Sequence, residues 1–148
     1  MNEHDVTKTL NQLIETSRDG ELGFRTCADH ATSAELKQLL RARAEDCRQA
    51  SAELQALVTQ HGGKYEDRGS IGGALHRGWV ATKGALTGYS DQALLEETER
   101  GEDVALAHYH KAMAQELPPD AHRVVNRQLQ GVMRNHEQIR KLRDLARA

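Results

Sequence analysis

Glu21 and Glu102 each follow a glycine directly, and each falls on the helical face that carries the leucines of its segment. A carboxylate is costly to bury alone, so such a residue must pair with a base, ligate a metal, or serve as a proton donor or acceptor. Counting outward from the expected hairpin turns sets other polar groups at the same height. Arg43 falls opposite Glu21 across the first turn, and Glu99 and Glu102 fall opposite His136 across the second. The expectation is one interior layer of Glu21, Arg43, Glu99, Glu102 and His136, in which Arg43 meets Glu21. Gly20 and Gly101 sit beside this layer. Each costs about 1 kcal/mol relative to alanine in a helix interior, which suggests that backbones approach closely there.

Two chemistries fit such a layer. Glu21, Glu99, Glu102 and His136 offer three oxygens and one nitrogen, a set suited to a single Fe, Mn or Zn ion. Alternatively Arg43, with Arg25 or Arg100, neutralises the carboxylates and fixes helix register, because buried charges are normally paired. Both readings stand at this point.

The elements that must position these residues follow from apolar periodicity. Helices are expected at about 5–31, 34–61, 90–116 and 120–146, with a short one at 71–86. Thr32-Ser33-Ala34-Glu35 reads as a capping box, with Thr32 as the capping hydroxyl. Pro118-Pro119 stops one helix and begins the next. Aromatics are 3% of the 148 residues and the text is rich in Ala, Leu, Glu, Arg and Gln. That composition favours one all-α domain. Two long hairpins joined by a long connection make a four-helix bundle with a crossover. A weak internal match, Glu15-Thr16 with Gly20-Glu21 against Glu97-Thr98 with Gly101-Glu102, agrees with two related halves.

The crossover contains eight of the twelve glycines and an apolar stripe of Ile71, Leu75, Trp79 and Leu86. Packing along the bundle is its expected role, and Trp79, Leu75 and Arg77 form the candidate interaction surface. Elsewhere the residues read as structural. Cys27 and Cys47 differ in height by on the order of 13 Å, too far for a disulfide, and read as small core residues of a reducing compartment. His108 and His110 lie on different helix faces and read as surface residues. A net charge of -2 with interleaved signs offers no field for nucleic acid. No segment approaches the ~18 apolar residues of a membrane span, and the N-terminus lacks signal-peptide features, so the expected location is cytoplasmic.

The strings Leu13-Ile14-Glu15, Asp19-Gly20-Glu21, Gly73-Ala74-Leu75-His76-Arg77-Gly78-Trp79, Glu99-Arg100-Gly101-Glu102-Asp103 and Leu117-Pro118-Pro119 resemble an uncharacterised bacterial family of ferritin-like four-helix-bundle proteins, a domain of unknown function. The resemblance spans nearly the whole chain. It implies the ferritin-like fold and a soluble cytoplasmic protein, without an activity. The wider superfamily places a lone Glu on each of two helices and Glu-x-x-His on the other two. Glu21 and Glu102 match the lone positions, but Met133 precedes His136 where Glu is required, and Glu45-x-x-Arg48 has Arg for His. Without Glu-x-x-His, a di-iron enzyme is not expected. The expected function is a metal-binding or residual redox protein of the stress-response kind. The alternative is a non-catalytic structural or interaction module, and in either case a homo-oligomer through helix faces.

Overall fold

A computed structural model describes residues 1–65 and 90–147. The expected helix at 71–86, with Leu75, Arg77 and Trp79, lies outside the described residues. Four helices form: α1 (Glu3–His30), α2 (Ala34–Gln60), α3 (Asp91–Met113) and α4 (Pro119–Arg147).

Each start and stop has a local cause. Asn2 accepts the Asp5 amide and starts α1 two residues earlier than apolar periodicity suggests. Ser33, not Thr32, caps α2 by accepting the Leu36 amide. Thr32 instead donates its amide and hydroxyl to Asp91, which also accepts the Ser33 amide, so the α1–α2 turn is tied to the start of α3. The α2 end closes on Gly62, whose φ of 75° suits glycine, while the Gly63 amide reaches back to the Val58 carbonyl. Pro119 opens α4, where a missing amide hydrogen costs nothing.

α1 and α2 pack antiparallel along their length, as do α3 and α4. The α1–α3 seam is the main junction between the two hairpins, and the α2–α4 seam is the sparser one. The apolar side chains gather into two clusters, one toward each end. One holds Val6, Leu10, Leu13, Leu54, Tyr109, Val125 and their neighbours. The other holds Phe24, Cys27, Leu36, Leu40, Leu95 and Ile139. Arg43 and Glu102 are buried at the level between them.

His61 ties three chain segments together at one end, with Nδ1 3.1 Å from Glu3 and Nε2 3.0 Å from Asp120. Both ring nitrogens donate only when the imidazole is charged. Partial burial lowers its pKa, but the bonds to Asp120 and Glu3 outweigh that and hold it above the ordinary 6.5. Burial works against Asp120 ionising, yet its bonds to the Ala121 amide and His61 keep the carboxyl below 3.8. A raised histidine stabilises fully below its unfolded pKa and loses that contribution as pH rises through the folded value. A depressed carboxyl stabilises above its unfolded pKa and loses that contribution as pH falls. The clasp is therefore fully present between the ordinary carboxylate value of Asp120 and the ordinary 6.5 of His61, and its histidine part is lost as pH rises beyond that. Urea denaturation at pH 6 and pH 9 is expected to show a decline of less than about 1 kcal/mol, given the exposed partners, that is absent in His61→Gln.

Candidate functional site

The interior layer divides into two separate constellations. At the centre, Arg43 is 4% exposed and Glu102 2% exposed. Arg43 donates from Nε and Nη2 to one oxygen of Glu102, at 3.1 and 3.0 Å, and from Nη1 to Asp46 at 3.1 Å. Its guanidinium also lies over the Phe24 ring, 5.1 Å from the centroid. Burial pushes the Glu102 carboxyl above its ordinary value against the pull of Arg43. Burial also opposes charge on Arg43, but Glu102 beside it holds the guanidinium above its usual range.

Arg43 thus meets Glu102 rather than Glu21. Glu21 lies at the margin of the α1 apolar stripe, and its carboxylate turns to Arg25, one turn along the same helix, at 3.2 Å. Helix height brings α1 and α2 together at this level, but only a side chain in mid-stripe is forced inward. Gly20 does face inward, since a Cβ there would lie 2.9 Å from the Cys47 sulfur.

The second constellation lies on the α3–α4 seam. Glu99 and His136 come together there with Asp103, and one ligand atom from each lies within 4.8 Å of the others. His136 Nε2 is 2.6 Å from Asp103 Oδ1, and Arg143 binds Glu99 Oε1. Glu99 Oε2 is shielded from solvent and has no hydrogen-bond partner among the described residues. Asp103 was not among the expected ligands, although Glu99-x-x-x-Asp103 is an i, i+4 pair that shares one helix face. Glu97, also unanticipated, is 2% exposed and 3.5 Å from Arg100.

A cavity of about 730 Å³ lies between the helices at this middle level, bordered by all four of them. Gly20, Gly101 and Gly131 line it, one from each of three helices. On one wall Tyr109 donates to Gln128 at 2.8 Å, and Gln128 donates to Glu53 at 2.8 Å. Burial pushes the Tyr109 hydroxyl up to about 12. His108, expected at the surface, is half-buried here with Nδ1 2.7 Å from the Thr16 hydroxyl; His110 is exposed. Cys27 and Cys47 are free thiols, and desolvation pushes each up to about 12, which leaves them protonated and poorly nucleophilic.

A family model described as domain of unknown function (DUF2383) matches residues 5–115. A dodecameric thioferritin, the bacterioferritin-related protein from Bacteroides fragilis, has a similar structure. The match has a TM-score of 0.76 and covers 99% of this chain and 89% of that one, at 12% identity. At that identity the likeness establishes the fold, which is ferritin-like. No curated protein matches the sequence. The two-iron centre implied by the superfamily does not fit these residues. The Arg43 guanidinium holds Glu102, and Glu21 is turned to Arg25, so neither lone carboxylate is presented to a metal pair. Among the described residues no helix is long and apolar enough to cross a membrane.

Proposed function

The chain belongs to the DUF2383 family, and from that premise we propose that it is a ferritin-like bundle protein that binds one Fe, Mn or Zn ion at the α3–α4 seam. Glu99, Asp103 and His136 are the ligands. The observation that carries this is the solvent-shielded Glu99 oxygen without a hydrogen bond, beside a second carboxylate and an imidazole. A buried carboxylate oxygen with no donor is an expense that a cation would offset. Four-coordinate ions with ligand distances of about 2.1 Å space their ligand atoms about 3.4 Å apart, so the cluster would close by on the order of 1 Å. Two oxygens and one nitrogen leave a position for water, as in catalytic rather than structural sites. Glu21 and Glu102 stand outside this ligand set, because neither carboxylate comes together with Glu99, Asp103 and His136.

Metal analysis of protein purified without chelator, followed by titration with Zn²⁺ and Mn²⁺, tests this. The expected result is one ion per chain, with affinity reduced at least roughly 100-fold by Asp103→Ala or His136→Ala and retained in Glu102→Ala. Wild-type protein that binds neither metal overturns the proposal.

The second reading is a non-catalytic structural or interaction module. It draws support from the pairing of Glu21 with Arg25, Glu102 with Arg43, Glu99 with Arg143 and Asp103 with His136. We also propose self-association through helix faces. Exposed Leu22, Val104 and Met133 support it, together with the dodecameric state named for the similar Bacteroides fragilis protein. Two free, protonated thiols suit the reducing conditions of the cytoplasm.

A further inference from the structure

We propose that the cavity between the two apolar clusters binds an amphipathic organic anion, with its apolar body inside the bundle and its carboxylate at Arg134. Three independent observations carry this, and none of them depends on the metal site.

The first is unexplained space. At about 730 Å³ the cavity falls within the size range of small-molecule sites, and most of its exposed surface is apolar, although polar residues border it too. Gly20 is required by packing, since a Cβ would collide with Cys47. Gly131 is not: a Cβ there would meet only Arg134 Nη2, at an ordinary 3.7 Å. Alanine would fit at 131 and favour the helix by about 1 kcal/mol, so neither packing nor helix propensity accounts for the glycine. An occupant does.

The second is that the buried polar side chains Tyr109, Gln128 and Arg43 of the wall already have partners. Tyr109 donates to Gln128, Gln128 donates to Glu53, and Arg43 donates to Glu102 and Asp46. A hydrocarbon or aromatic body entering beside these three side chains leaves their bonds intact.

The third is charge. Of the arginines lining the cavity, Arg43 is held by Glu102, Arg127 by Glu53 and Arg100 by Glu97. Arg134, exposed beside Gly131, has no acidic partner among the described residues. Among the described residues Arg134 is therefore the one lining arginine without an acidic partner, and its complement is a carboxylate.

Isothermal titration of the full chain with dodecanoate, kept monomeric, and with naphthalene-2-carboxylate tests the proposal. Chelator is present, so the outcome is independent of metal binding. At least one probe is expected to bind once per chain with a Kd on the order of micromolar. Gly131→Phe, which fills the space, is expected to weaken that probe more than 100-fold while circular dichroism shows an intact helical fold. Arg134→Gln, an exposed change that keeps the fold in any case, is expected to weaken it about 10-fold. Dodecylammonium should gain nothing from Arg134 and bind Arg134→Gln at least as well as wild type. Failure of both anionic probes at about 1 mM, or binding indifferent to both substitutions, overturns the proposal.

Discussion

Glu102→Ala is expected to destabilise the fold by about 3–5 kcal/mol, because it leaves the Arg43 guanidinium buried without its main counter-charge. For a domain of this size that corresponds to a fall in melting temperature of roughly 10 °C. Asp46 remains as a partner for one nitrogen, but it is mostly exposed and cannot replace the two bonds that Glu102 accepts. Arg43→Ala is expected to cost a similar amount by stranding the carboxylate. The double variant Arg43→Met with Glu102→Leu should recover most of the loss, since a buried ion pair is rarely better than well-packed apolar groups of similar volume. Urea denaturation followed by circular dichroism measures all three. If Glu102→Ala lost less than about 1 kcal/mol, the central pair would be a surface-type interaction, contrary to its burial.

Leu10→Ala should cost about 2–5 kcal/mol by the same measurement. Leu10 is fully buried in the apolar cluster formed by the beginning of α1, the end of α2, the end of α3 and the beginning of α4. Truncation removes the transfer energy of its methyl groups and leaves a void that four packed helices cannot close. Leu145→Ala is the control. Leu145 is 71% exposed, and its truncation is expected to change stability by less than about 0.5 kcal/mol.

The helices were legible in the sequence because their apolar residues recur at a strict helical period, and the glycines and prolines at 62, 63, 118 and 119 punctuate them. Their first residues were less so. Asn2, Thr32 and Ser33 are all competent caps, and tertiary demand for Thr32 at Asp91 decided which one capped α2. Within the site, the burial of Glu102 was legible from its place among leucines, and the height of Arg43 and His136 from simple counting. What counting does not contain is the direction a long side chain takes at the margin of a stripe. Glu21 had the right height and a nearer base on its own helix. Asp103 follows Glu102 directly and so reads as solvent-facing, and only the way α4 lies against α3 brings it to His136. Glu97 was hidden for the opposite reason, since its acidic neighbours Glu96 and Glu99 make the whole stretch look like a surface. The cavity left a trace in the glycines, but Gly20, Gly101 and Gly131 on three helices border one space only when the helices are assembled.

The division of the apolar side chains into two clusters has a consequence for how this molecule loses its structure. Every one of the four helices contributes to both ends. A helix that slips to relieve one oily end must drag its own side chains out of register at the other, so slippage at one end disturbs both. The charge-bearing waist is therefore clamped from above and below. It is an opening that stays open without being a weak point.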